Sequence, residues 1–369
     1  MSDSEGTSLQ QKILGALSEI QDPDLGKDIV ALGFVKNIII KKNLVRGADV
    51  SLEIELTTPA CPFKLQFKND AERLIRAIAG VSSASVVMTA NVKRSQASGM
   101  PSLAGVKNVI AVGSGKGGVG KSTVAVNLAF ALKQLGSRVG LLDADVHGPS
   151  LGMMLGLKGM PEVKNGKVVP KLAFGMPCMS FSFFSPVGEA VIWRGAMTAK
   201  AVEQMLFDVQ WSDQGADGDL DYLIIDMPPG TGDIPLTLIH KIHVDGAVVV
   251  STPQDLALLD ATKAFFMYEK LKVPVLGLIE NMSGFHCPHC SKPIDIFGSG
   301  GARREAEFRK IPFLGAIALD SALVKNGDSG TPMVVADPKS VASLSFLRAA
   351  EALAQQLSIA QRSALKAKD

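Results

Sequence analysis

The stretch that most constrains this chain is GSGKGGVGKST, residues 113–123. It lies between a short apolar run, Val109–Val112, and a helical stretch. It contains the spacing GxxxxGK[ST] in the setting that spacing requires, a strand before and a helix after. The glycines let backbone N–H groups turn inward around phosphate oxygens, and the helix start adds the positive end of its dipole. Gly113, Ser114, Gly115, Lys116, Gly117, Gly118, Val119, Gly120, Lys121, Ser122 and Thr123 are therefore candidate nucleotide-binding residues. Lys121 is expected to reach the β- and γ-phosphates, and the Ser122 hydroxyl to ligate Mg²⁺.

Further short apolar runs, Arg138–Leu142, Tyr222–Ile225, Ala247–Val250 and Val273–Ile279, alternate with helical stretches. Buried strands alternating with helices predict an α/β fold with a doubly wound, mostly parallel sheet. Ligands of such sheets sit at the carboxyl ends of the strands. Asp143 and Asp145 follow one run; Asp145, further into the loop, is the better candidate for orienting an attacking water. Asp143 is expected to contact the glycine-rich loop or the metal's surroundings. Asp226 ends the apolar run of DYLIID, the pattern in which a carboxylate holds Mg²⁺. The following Gly230-Thr231-Gly232 is a candidate switch turn. Asn281, where the run after Val273 is read as ending, could hydrogen-bond a base edge.

The chain has 369 residues, more than one typical domain. Residues 1–92 read as a small α/β domain: a helix over Leu9–Ile20, strands near Phe34–Lys41 and Asp49–Leu56, a helix over Lys64–Ala79 and a strand near Ala84–Met88. Residues 93–105, KRSQASGMPSLAG, suit a linker, and 106–369 form the second domain. Ser340–Lys366 reads as a closing helix without a dense basic face. A net charge of +2 argues against a strongly electrostatic nucleic-acid binder. No apolar run has the length of about 18–20 residues that spans a bilayer, and the N-terminus does not read as a signal peptide.

Two features remain. Lys116 is a second lysine, five residues before Lys121, on the crown of the loop. There it could reach across a two-fold axis to a partner's phosphates, as an arginine finger does in trans. The other feature is Cys287-Pro288-His289-Cys290, which holds two of the four cysteines. Four cysteines in so long a chain make no disulfide scaffold, so a reducing, cytoplasmic setting is expected. A redox role needs a helix N-terminus at the first cysteine, and Pro293, Gly298, Gly300 and Gly301 discourage a helix. Structural zinc wants four ligands where this pair supplies two. His286 and His289 adjoin the cysteines but do not readily converge on one metal. A two-fold axis would double the thiolates to four, a set that holds [4Fe–4S] or zinc equally well. Cys61, in TTPACP, stands at a strand-to-helix junction and Cys178 in an apolar run.

Taken together, GSGKGGVGKST, DADVHGPS, WRGAM, DYLIIDMPPGTGD, STPQ, ENMSGFHCPHC, PFLGAIALD and GDSGTP resemble, in order, the Mrp/ApbC-type iron–sulfur cluster carrier ATPases. These belong to the P-loop proteins with a deviant Walker A motif, alongside the septum-site and partition ATPases. DPDLGKDIVALGFV and LTTPACP are similar to the small iron–sulfur-assembly domain often fused ahead of them. The resemblance implies an ATP hydrolase with Lys116, Lys121 and Asp145 as catalytic residues and Ser122 and Asp226 on Mg²⁺. It also implies a homodimer with a [4Fe–4S] cluster bridged by Cys287 and Cys290 of each subunit, serving apo iron–sulfur proteins as clients. Stable nucleic-acid or membrane binding is not expected. A DNA- or membrane-binding positioning ATPase and a zinc-bridged scaffold are the alternatives. Ala196 in WRGAM, Ala318 in IALD and the insert SDQGADG depart from the usual pattern without touching a motif that carries chemistry.

Overall fold

The computed structural model describes residues 3–43, 47–94, 100–146, 148–184, 195–212, 218–287, 289–290 and 292–366. His147, Trp193 and Arg194 of WRGAM, residues 213–217 of the insert and 95–99 of the linker lie outside them. The chain divides into two compact units, residues 1–93 with 362–369, and residues 94–361.

In the small unit, strand Gly47–Leu56 lies between Val35–Asn43, antiparallel to it, and Val81–Ala90, parallel to it. A parallel pair needs a crossover, and the helix Lys64–Arg76 supplies it. The middle strand buries alternate residues, Ala48, Val50, Leu52, Ile54 and Leu56. Its inner face packs on Phe67, Ala71 and Ile75 of that helix and on Ile13 and Leu17 of the helix Asp3–Leu17. Both helices stop three residues short of the expected Ile20 and Ala79. Ile20 instead turns back to accept a hydrogen bond from Ile29, and Gly80 adopts a positive φ before the next strand.

Among the described residues, the large unit is built on a nine-stranded sheet. Strand Val106–Ser114 sits at its centre, parallel to Leu220–Asp226 on one side and Gly246–Ser251 on the other. Val139–Asp143 and Met176–Ser180 continue outward beyond the first, Val275–His286 and Phe313–Leu319 beyond the second. Leu220–Asp226 and Gly246–Ser251 are buried along their whole lengths, because the parallel sheet is covered on both faces. Helix Lys121–Gln134, which follows the glycine-rich loop, is buried from Val124 to Leu132 and has no solvent stripe. The mostly parallel, doubly wound sheet is thus as the alternation of apolar runs predicts.

Strands Lys171–Ala173, Met176–Ser180 and Phe313–Leu319 were not expected. The largest correction concerns the strand bearing Asn281. It does not end there but runs on to His286, and Pro293–Ile294 pairs back on it antiparallel. Among the described residues no helix is long and apolar enough to cross a membrane.

Candidate functional site

The glycine-rich loop bends where its neighbours leave no room for side chains. A Cβ on Gly115 would lie 2.0 Å from the carbonyl carbon of Asp260, in helix Asp255–Lys270. Gly120 has φ +78°, and a Cβ there would lie 2.2 Å from Asn281 Nδ2. Glycine is therefore a packing requirement at both positions and, at Gly120, a conformational one as well. Within the loop, Ser114 Oγ donates to the Lys116 carbonyl at 2.9 Å. Gly230 N–H donates to the Ser114 carbonyl at 2.9 Å, which ties the candidate switch turn to the loop.

Lys121 opens the helix, with its side chain buried against a carboxylate and a hydroxyl. Its Nζ donates to Asp226 Oδ1 and, at 3.3 Å, to Ser122 Oγ. Asp226 is 1% exposed, and its second oxygen, Oδ2, has no hydrogen-bond partner. An orphaned buried carboxylate oxygen beside a serine hydroxyl is a donor set that fits a hard cation such as Mg²⁺. Burial pushes the Asp226 carboxyl above its ordinary value, and the Lys121 ammonium opposes that rise.

Asp143 and Asp145 take different parts. Asp143 is fully buried, beside the Asp226 charge, and its hydrogen-bond partners lie in the Asp145 loop and at Ser180. Its oxygens accept from the N–H groups of Asp145, Ser150 and Leu151 and from Ser180 Oγ, at 2.9–3.1 Å. Burial first, and then the Asp226 charge, raise its carboxyl to about 7. Asp143 thus organises the loop that carries Asp145. Asp145 is also buried; its Oδ1 accepts from Gly148 N–H at 3.2 Å, and its charge is among those that raise Asp226. The structure therefore brings Lys121, Ser122, Asp145 and Asp226 together at the carboxyl ends of neighbouring strands.

Asn281 is 5% exposed and its Nδ2 donates to the Val119 carbonyl at 2.9 Å. It grips the glycine-rich loop by its backbone. Lys116 is half-buried on the loop crown, and its charge contributes, after Lys263, to lowering the carboxyl of Asp260 in the same chain.

The cysteine pair sits at the turn of the β-hairpin, away from any helix start. Cys287 N–H donates to the Lys292 carbonyl at 3.0 Å, closing the turn. The N–H groups of His289 and Cys290, and the Cys290 thiol, hydrogen-bond to the Cys287 sulfur and hold its pKa below the usual thiol value. Cys287 is partly exposed and Cys290 exposed, so two sulfurs converge at the surface. Cys178, by contrast, is fully buried and its thiol is pushed up to about 12 by burial. Cys61 is partly exposed.

The sequence profile of the family described as NUBPL iron-transfer P-loop NTPase matches residues 105–354. This chain belongs to that family. In this NUBPL-type NTPase, residues 10–86 match a second family, the iron-sulfur cluster assembly proteins. The iron-sulfur cluster carrier protein of Deinococcus radiodurans is 45% identical, over 95% of this chain and 96% of its own. The protein of the same name from Escherichia coli K12 is 39% identical, over 95% of this chain and 93% of its own. Among solved structures, a nucleotide-binding protein of Archaeoglobus fulgidus in complex with ADP superposes with a TM-score of 0.55 and 40% identity. It covers 64% of this chain and 90% of its own.

One residue of this NUBPL-type NTPase escaped the sequence reading. Glu280 is fully buried, and its carboxylate accepts from Ser283 Oγ, from Gly300 N–H at 2.8 Å and from Ala302 N–H at 2.6 Å. Its sequence signal was the ENMSG stretch itself, where a carboxylate directly follows an apolar strand.

Proposed function

We propose that this chain carries an iron–sulfur cluster to apo proteins and that ATP binding and hydrolysis on the loop Gly113–Thr123 control the carrier. The observation that carries the reading is the converged pair Cys287 and Cys290 at an exposed hairpin turn, in a chain that also holds a nucleotide loop. One chain offers two thiols; a four-thiolate cluster asks for two chains. The cargo is therefore a [4Fe–4S] cluster shared by a homodimer, with Cys287 and Cys290 supplied by each copy. The names of the relatives support this cargo.

Lys121 would bind the β- and γ-phosphates, and the backbone of Gly113–Thr123 would cradle them. Ser122 and the free oxygen of Asp226 would hold Mg²⁺, which neutralises phosphate charge when bound. Asp145 would orient the attacking water, kept in place by the loop that Asp143 ties down. Lys116 would reach the partner's nucleotide, and closing the dimer in this way would present the thiols to each other. Four cysteines in 369 residues, too few for a disulfide scaffold, fit a reducing, cytoplasmic setting.

The test is anaerobic reconstitution with iron and sulfide, followed by absorption and Mössbauer spectra and metal analysis. The expected result is four irons with matching sulfide per dimer in the wild type and none in Cys287→Ala/Cys290→Ala. Equal cluster content in the two proteins would defeat the reading. Zinc without iron in anaerobically purified protein would replace the cluster by a zinc bridge, which the same four thiolates accommodate.

A further inference from the structure

Glu280 and Asn281 are consecutive on one strand and hold different parts of the molecule. Asn281 Nδ2 holds the Val119 carbonyl of the glycine-rich loop at 2.9 Å. Glu280 holds the base of the cysteine hairpin. Its Oε1 accepts from Ser283 Oγ and from Gly300 N–H, and its Oε2 accepts from Ala302 N–H. Between these residues and the cysteines the strand is irregular. Its register against Phe313–Leu319 breaks between Asn281 and Phe285. Met282 has φ +57° and Gly284 φ +67°. A non-glycine residue in that region is strained, and it persists only where its surroundings over-determine it.

Glu280 supplies that determination. Ser283 lies inside the irregular segment and bonds to the carboxylate directly. Gly300 and Ala302 begin the helix that follows the hairpin. Gly284 N–H is in turn bonded to the Gly298 carbonyl at 3.2 Å. The buried charge therefore gathers both ends of the segment that bears Cys287 and Cys290. On the other side, a Cβ on Gly120 would lie 3.6 Å from Met282 Cε as well as against Asn281, so the irregular segment itself packs on the glycine-rich loop.

We propose that Glu280 is a positioning residue that couples the nucleotide loop to the cysteine pair. A shift of Val119–Gly120 moves Asn281 and Met282, and the Glu280 clamp converts that shift into a change in the hairpin that carries the thiols. The irregular segment gives the strand a second arrangement to adopt, which a straight ladder would not. This rests on the reading that nucleotide governs the cysteines. It does not require that their cargo be iron–sulfur.

The experiment follows thiol alkylation in the full-length, reduced, metal-free chain, by mass spectrometry of the peptide bearing Cys287 and Cys290. Rates are compared without nucleotide and with saturating Mg–ADP or a non-hydrolysable ATP analogue. In the wild type, nucleotide should change the rate between about two- and thirtyfold. Glu280→Gln keeps the size but loses the charge. It should bind nucleotide within about threefold of the wild type, while the alkylation ratio falls to near one. Ser283→Ala removes one donor to the clamp and should give an intermediate ratio; it decides the matter if Glu280→Gln fails to fold. A wild type without a nucleotide-dependent rate would overturn the proposal, and so would a folded Glu280→Gln with the wild-type ratio. Because neither iron nor zinc is present, a failure here is separate from a failure of cluster reconstitution.

Discussion

Lys121 and Asp226 form a buried ion pair across the nucleotide loop, and the pair leaves one carboxylate oxygen of Asp226 without a partner. The lysine is thereby held neutralised at the position from which it would meet phosphate. The free oxygen marks where a cation would complete the site.

Asp226→Asn removes the charge that neutralises Lys121. A buried cation left alone costs about 3–5 kcal/mol, so the protein should unfold at a markedly lower temperature in calorimetry. With the carboxylate that would hold Mg²⁺ gone, Mg²⁺-dependent phosphate release should fall by about a hundredfold or more. Wild-type release from a folded Asp226→Asn protein would remove Asp226 from the metal site.

Asp143 supplies a pH signature. Its folded carboxyl titrates at about 7, against an ordinary value of 3.8. Between those values the folded chain binds more proton than the unfolded chain, so this group's contribution to stability falls as pH rises through that window and levels off above it. In Asp143→Asn the amide stays neutral throughout. The variant loses stability overall, because one N–H of the Asp145 loop faces an amide donor. Its melting temperature should nonetheless decline less steeply from about pH 4 to 7 than that of the wild type. Parallel curves would show that the carboxyl does not titrate there.

The glycine-rich loop should be intolerant at Gly115. The alanine methyl would meet the backbone of Asp260, which cannot turn aside as a side chain can. The loop must shift, and a shift of about an ångström costs on the order of a hundredfold in a positioned site. Mg²⁺-dependent phosphate release should show that loss, while far-ultraviolet circular dichroism stays close to the wild type.

The four thiols should separate under iodoacetamide at neutral pH in the reduced protein. Cys287, with its pKa lowered by the His289 and Cys290 N–H groups, should be labelled first. Cys178, buried with a pKa near 12, should be labelled only after denaturant is added. Peptide mapping over time gives the order directly. Early labelling of Cys178 would mean that the strand Met176–Ser180 opens readily.

Much of the site was legible because its parts are local. Gly113–Thr123 is one loop, Cys287 and Cys290 share one turn, and Asp226 ends one apolar run. Each pattern carries its chemistry within a few residues, since a loop that cradles phosphate or a turn that pairs two sulfurs is closed by short-range geometry. The alternation of apolar runs likewise announced the parallel sheet. The continuation of the strand past Asn281 was not legible, because its pairing breaks after Asn281 and resumes only at Phe285 and His286, which are held by the neighbouring strand Phe313–Leu319 and the returning Pro293–Ile294. Nor was the part played by Asp143, whose oxygens are taken up by the Asp145 loop and by Ser180.

The sequence by itself determined which groups this NUBPL-type NTPase possesses: a phosphate loop, a carboxylate at a strand end, a pair of cysteines. Only the tertiary structure decided how they are held. Asn281 meets Val119 across 162 residues of chain, and Glu280 meets Gly300 across 20. Such contacts form when the sheet assembles and sets two loops side by side. Their energy comes from burying charge and amide among fixed partners, and one strand's residues do not specify those partners until the neighbouring strands are in place.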